Sequence, residues 1–160
     1  MNILFVCATN EVLSQMAEGI FAHLLKKEGI KGVYCTSRGI SVKKRGHTHE
    51  NACLALKEVG VLYKARKAKR LYPITLGLYN YVITMTNSQK LAILKHNKKK
   101  NIYSLNDISG CGDIHDPSGD TLEGYEIIAK ELHDELYILV QAIKRKLEQK
   151  QNDDQSKTDN

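Results

Sequence analysis

Tryptophan is absent from this chain of 160 residues. No apolar run in it approaches the roughly 18–20 residues of a membrane-spanning helix, so no membrane segment is expected. The start, Met1-Asn2, carries no basic residue, and its apolar run stops at Val6. That is not the pattern of a secretory signal, and cytoplasmic residence is the default expectation. The four cysteines, Cys7, Cys35, Cys53 and Cys111, form no Cys-x-x-Cys pair. Zinc and thioredoxin-like readings are therefore weak, and free thiols are expected. Cys35, in a strand-like run, and Cys53, in a helical one, read as core. No internal repeat and no second domain is seen.

The net charge of +6 raises the question of nucleic acid. The basic residues are spread over Lys43-Lys44-Arg45, Lys64 to Arg70, Lys98-Lys99-Lys100 and Lys144-Arg145-Lys146. No aromatic-studded basic stripe accompanies them. A solvated basic surface that attracts anionic substrates accounts for the charge, and specific nucleic-acid binding is not expected.

Apolar strands alternate with amphipathic helices. Asn2–Val6, Val33–Ser37, Tyr81–Met85 and Asn101–Ser104 read as strands. Helices are expected from Ser14 to about Glu28-Gly29, from about His49 to Val59, near Ser88–His96, and from about Leu122 to Lys150. Lys64–Leu76 is basic and unassigned, and Asn106–Asp120 reads as a Gly/Asp-rich loop. Residues 151–160 lack apolar side chains and are expected to be a disordered polar tail after a single domain over 1–150. The fold class that follows is α/β, a doubly wound parallel sheet of four strands with flanking helices.

In such a sheet ligands sit beyond the C-terminal strand ends, above helix N-termini. Cys7-Ala8-Thr9-Asn10-Glu11-Val12-Leu13-Ser14 lies there. Backbone N–H groups of such a turn converge on an anion, helped by the helix dipole, which also favours a thiolate at Cys7. A thiolate facing a bound phosphoryl group is a nucleophile for phosphoryl transfer. By position alone, a buried cysteine ending a strand is an equal reading. Asn10 tolerates left-handed backbone. Ser14 is placed to cap the helix and to donate to the thiolate. Asp116, on a loop stiffened by Pro117, is a candidate general acid and base.

Together these segments resemble the low-molecular-weight protein phosphatases, over nearly all of residues 1–150. That family reads Cys, five residues, Arg and Ser, then a helix with Pro-Met-Ala-Glu; here the helix reads Gln15-Met16-Ala17-Glu18. The family's Ser-Ala-Gly becomes Ser37-Arg38-Gly39, its strand ending in Met-Thr is Val82-Ile83-Thr84-Met85-Thr86, and its Asp-Pro-Phe-Gly-Gly before a Tyr is Asp116-Pro117-Ser118-Gly119-Asp120 before Tyr125. Asn101–Tyr125 looks most like the bacterial branch that includes protein-arginine phosphatases. The resemblance implies a Cys7 nucleophile, Asp116 as acid and base, and Asn10, Ser14 and Ser37 as supports of the phosphate loop. It implies no metal or organic cofactor, and a phosphorylated protein or a small oxyanion as partner. Tyr125 is given no catalytic role.

The pattern breaks at Leu13, where the family has the Arg that holds two phosphoryl oxygens. Loss or alteration of activity follows as an expectation. Glu11 brings an acid into the loop, Thr9 replaces a Gly, Val12 removes a neighbouring Cys, and Gln15 replaces the helix-starting Pro. Arg38 is the candidate substitute cation, with Arg45 and Arg66 as poorer ones. Cys111 is a candidate resolving thiol for Cys7. Three functions stay open: an altered phosphatase, a non-catalytic pseudophosphatase, and a thiol redox protein of the arsenate reductase type.

Overall fold

The first strand is apolar at every position from Ile3 to Val6 because it is covered on both faces. The structure, a computed structural model, describes residues 1–97 and 101–158, the side chains of 154–158 excepted. Its strands are β1 (Asn2–Cys7), β2 (Tyr34–Gly39), β3 (Tyr81–Thr84) and β4 (Ile102–Ser104). All pair in parallel, in the order β2-β1-β3-β4. The expected doubly wound sheet of four strands is thus present.

Alternation along the strands divides the core in two. Ile3, Phe5, Cys7 and Ile83 face one layer, made by α1 (Leu13–Lys27), α2 (Glu50–Glu58) and α5 (Leu122–Thr158). Leu4, Val6, Val82 and Ile102 face the other, where Ile93 of α3 (Asn87–Leu94) joins Leu71 and Leu76. Leu76 belongs to a 3₁₀ helix over Pro73–Leu78. Helix α5 lays Ala129, Leu132, Leu136 and Val140 against α1 and α2. Phe5 meets Phe21 of α1 edge to face, with ring centroids 5.3 Å apart.

Two segments differ from expectation. The loop expected from Asn106 contains a short helix, α4 (Leu105–Ser109). Ser104 Oγ accepts from the Asp107 backbone N–H at 3.2 Å, and Asp107 Oδ2 accepts from that of Ser104 at 2.7 Å. This capping box, closed by Gly110 at φ 74°, makes a helix of what composition alone reads as a loop. At the other end, α5 continues through Thr158, past Lys150 where the last helix was expected to end. No Gly or Pro follows Lys150 to break the helix. Residues 159–160 and the basic Lys98-Lys99-Lys100 lie outside the described residues.

Register places the site. Cys7 at the C-terminal end of β1 is level with Gly39 of β2. The unassigned basic segment joins there, because Gly39 N–H donates to Lys69 O and Leu71 N–H to Gly39 O, both at 2.8 Å. A Cβ at Gly39 would stand 2.7 Å from the Thr9 carbonyl carbon and 2.8 Å from the Asn10 nitrogen. Both are backbone atoms of the loop after Cys7, so only Gly lets that loop lie on β2. Gly39→Ala is expected to lower stability by about 1–3 kcal/mol in urea unfolding. An unchanged midpoint would show that the loop is not held against β2 as described.

Candidate active site

The loop after β1 is shaped by Asn10. It has φ 58°, the one non-glycine residue with positive φ among those described, as its residue type allowed. Its buried side chain is saturated. Nδ2 donates to Ser14 Oγ at 2.8 Å and to Ser37 Oγ at 2.9 Å, while Oδ1 accepts from the Lys69 backbone N–H at 2.8 Å. One amide thus ties the loop to α1, to β2 and to the 67–71 segment. The three residues expected to support the loop, Asn10, Ser14 and Ser37, do meet.

Cys7 lies beneath them. Its Sγ is 2.9 Å from Ser14 Oγ and accepts from the Asn10 backbone N–H at 3.3 Å. Burial pushes the thiol above its ordinary range, the bonds from Ser14 and Asn10 counter this in part, and the Asp116 carboxylate adds to the rise. The charge that weighs most on the thiol is therefore of the wrong sign for a thiolate. Burial thus works against the thiolate expected at Cys7.

The cradle above the thiol keeps its donors. The backbone N–H groups of Ala8, Thr9, Glu11 and Val12 donate to no acceptor among the described residues. The N-terminus of α1 also lacks a side-chain cap and has no acid in its first turn. Its N-cap is Val12, so Ser14 does not cap the helix as expected; its hydroxyl is engaged by Cys7 and Asn10 instead. An uncapped helix start with unpaired N–H groups suits an anion.

Among the described residues, no cationic side chain bonds to the Cys7 loop backbone. Leu13 is 2% exposed and packs in the core with Val12 and Met16. Arg38, the candidate substitute cation, is bonded away from the loop. Its Nη1 donates to Thr36 Oγ1 at 2.9 Å and to Ser37 O at 2.7 Å, on the face of β2 opposite the Ser37 side chain. Arg66 comes nearer, with Nη2 donating to Ser37 Oγ at 3.0 Å, but the same nitrogen is paired with Glu18. Arg45 makes no bond to the loop among the described residues; its carbonyl meets His47 Nδ1. Glu11, expected to repel an anion from within the loop, turns outward. Its carboxylate leans on Gly46 and stands 3.9 Å from Lys43 Nζ.

Sequence reading missed the layer behind the loop. Gln15, fully buried, donates from Nε2 to the Asn10 carbonyl at 2.6 Å. Its Oε1 accepts from Thr48 Oγ1 at 2.6 Å, Tyr63 Oη at 2.9 Å and Arg66 Nε at 3.2 Å. Gly19 makes room for the Tyr63 ring, which a Cβ would meet at 2.7 Å. Gln15 is thus the anchor of a polar network. The local signal was a lone Gln in an apolar helix face, and its partners are 33 to 51 residues away.

The rim is built by His49 and the Asp116 loop. His49 donates its backbone N–H to Glu11 O at 2.9 Å and stacks its ring on Tyr125, with centroids 5.2 Å apart. Tyr125 is fully buried, and its phenol is pushed up by burial and by Asp116. Asp116 is exposed on its loop; Oδ1 accepts from Ser118 N–H at 3.0 Å and Ser118 Oγ at 2.6 Å. Cys111 is a free thiol whose bonds are local, to Ser109, with none to Cys7. No cluster of metal-ligating side chains occurs among the described residues.

The family profile described as "Low molecular weight phosphotyrosine protein phosphatase" matches residues 2–150. The chain is 28% identical over 152 residues to a protein-arginine-phosphatase of Bacillus subtilis, covering 91% of this chain and 98% of that protein. It is 29% identical over 150 residues to the low molecular weight protein-tyrosine-phosphatase PtpB of Staphylococcus epidermidis, covering 92% and 100%. Among solved structures, it resembles a mutant of YwlE from Bacillus subtilis with a TM-score of 0.83 and 27% identity, over 90% of this chain and 99% of that one. A low molecular weight protein tyrosine phosphatase from T. tengcongensis gives 0.81 and 31% identity, over 89% and 99%.

A thiol held protonated reacts slowly with electrophiles, and its reactivity climbs only in the alkaline range. Iodoacetamide at neutral pH is therefore expected to label exposed Cys111 well before Cys7, with Cys7 labelling rising only at a more alkaline pH than an ordinary thiol requires. Preferential modification of Cys7 at pH 7, read by peptide mass spectrometry, would contradict this site electrostatics.

Proposed function

The chain belongs to the low molecular weight phosphotyrosine protein phosphatase family, and from that premise we propose that it receives phosphorylated protein side chains, phosphotyrosine or phosphoarginine, and hydrolyses them only slowly. One observation carries this reading: the Cys7 thiol keeps its bonds to Ser14 and Asn10, while the position of the phosphate-binding Arg is a core leucine, Leu13.

The steps follow from the chemistry of the groups. Cys7 gives its proton through water to the Asp116 carboxylate, and its sulfur attacks phosphorus. The bond from phosphorus to the leaving oxygen or nitrogen breaks, and Asp116 protonates the leaving group. Asp116 then takes a proton from water, whose oxygen attacks the thiophosphate and releases phosphate and the Cys7 thiolate. Backbone N–H groups of the loop hold the phosphoryl oxygens throughout. Two terms slow this sequence. The raised thiol reduces the nucleophile at neutral pH, and no guanidinium takes up the transition-state charge. An arginine so placed is worth about 10³–10⁵ in rate.

The raised thiol also favours a second reading, a module that binds the phosphorylated side chain without turning it over. Hydrolysis of p-nitrophenyl phosphate by wild type, Cys7→Ser and Leu13→Arg separates the two. Slow turnover by wild type, abolished in Cys7→Ser and raised on the order of 10³-fold or more in Leu13→Arg, is the expected result. No turnover by wild type, with Cys7-dependent gain in Leu13→Arg, would favour the binding module. Fast turnover by wild type, unchanged in Leu13→Arg, would overturn the assignment of Leu13 as the lesion.

A further inference from the structure

Charge is segregated along this chain. No Asp or Glu occurs from residue 29 to 49 or from 59 to 106, although both stretches are rich in Lys and Arg. They come together at the end of β2, where the 67–71 segment pairs with Gly39. On the face of the sheet away from Cys7, a cleft of about 420 Å³ opens there. Arg38, Lys69 and Arg70 line it with Tyr72, Leu78 and Tyr79, and no acid is among its walls. None of the three cations has an ion-pair partner among the described residues.

Arg38 is held for binding. It is half-buried, and its Nη1 is fixed to Thr36 Oγ1 and Ser37 O. The Nε and Nη2 edge has no acceptor among the described residues, and that is the edge a carboxylate or phosphate engages bidentately. A guanidinium anchored from below loses little freedom when it takes a ligand. The surroundings decide between a small anion and a chain. Tyr72 is 60% exposed and Leu78 70%, so apolar surface lines the cleft beside the cations. A free anion leaves that surface uncovered, whereas a peptide with an acidic and an apolar side chain covers both.

We propose that this cleft, formed by Arg38, Lys69, Arg70, Tyr72 and Leu78, docks an acidic segment of a partner protein that carries an apolar side chain. The site is separate from the Cys7 cradle and needs no turnover. It adjoins the cradle in one respect: the Lys69 backbone N–H that holds Asn10 belongs to the same segment.

The test uses the full chain carrying Cys7→Ser, so that loss of chemistry at the cradle cannot alter the result. A fluorescein-labelled, unphosphorylated Glu-rich peptide with one Leu is titrated by anisotropy at near-physiological salt. Binding is expected, weakened on the order of tenfold by Arg38→Gln with Arg70→Gln and unchanged by Lys31→Gln with Lys57→Gln, which removes the same charge elsewhere. Lys69→Gln with Arg70→Gln, both exposed, repeats the test if the Arg38 variant melts early. Tyr72→Ala with Leu78→Ala is expected to weaken binding as well. No binding, or equal weakening by the Lys31 and Lys57 control, would overturn the proposal. So would full competition by inorganic phosphate at constant ionic strength, which marks a small-anion site. Preference for a single-stranded oligonucleotide lost in the same variants would overturn it in favour of nucleic acid.

Discussion

A single asparagine amide holds the functional end of this molecule together. Asn10 sits at φ 58°, and its side chain spends both of its polar ends on three different elements. In the left-handed region most side chains are strained, and Asn tolerates it best after Gly. The buried amide then has nowhere to turn for water, so each of its partners becomes obligatory. Ser14, Ser37 and the Lys69 backbone follow from that demand. So does the glycine at 39, because the loop that Asn10 bends must lie directly on β2. Gln15 completes the arrangement by binding the Asn10 carbonyl from behind.

This frame keeps the thiol in position while changing its character. A cysteine 4% exposed, with Asp116 as its weightiest charge, keeps its proton to higher pH than an exposed one. Leu13 deepens the effect. Its burial contributes roughly 1.5–3 kcal/mol of apolar stabilisation, in a place where a guanidinium would favour the thiolate and any bound dianion. The donors of the loop belong to the backbone and not to the side chain of residue 13. Under the proposed reading, a phosphoryl group is therefore bound by this loop and turned over slowly.

The local features of the fold and the site were legible in the sequence. Four strands and the principal helices follow from apolar periodicity, and Asn10 as a left-handed turn residue follows from its chemistry. Cys7, Asn10, Ser14 and Ser37 were named by motif and are neighbours in space. What was not legible depends on contacts between distant segments. Thr48, Tyr63 and Arg66 converge on Gln15 from two later loops, and nothing in their own surroundings announces it. The direction of a long side chain was equally hidden: Arg38 turns back onto its own strand and Glu11 leans out to Gly46. The α4 capping box, by contrast, stood in the sequence as Ser104 and Asp107 before Gly110, and was obscured by the Gly and Asp content around it. Cys111 offered a plausible thiol by spacing, which its local bonds do not support.

The most direct measurement is calorimetric titration of orthovanadate, a phosphate mimic, into wild type and Leu13→Arg at pH 7. A preformed cradle that lacks only its cation predicts measurable but weak binding by wild type. It predicts binding tighter by on the order of 10²-fold in Leu13→Arg, a gain of about 2.7 kcal/mol. Equal and tight binding by both proteins would contradict it, since some other group would then be supplying the missing charge.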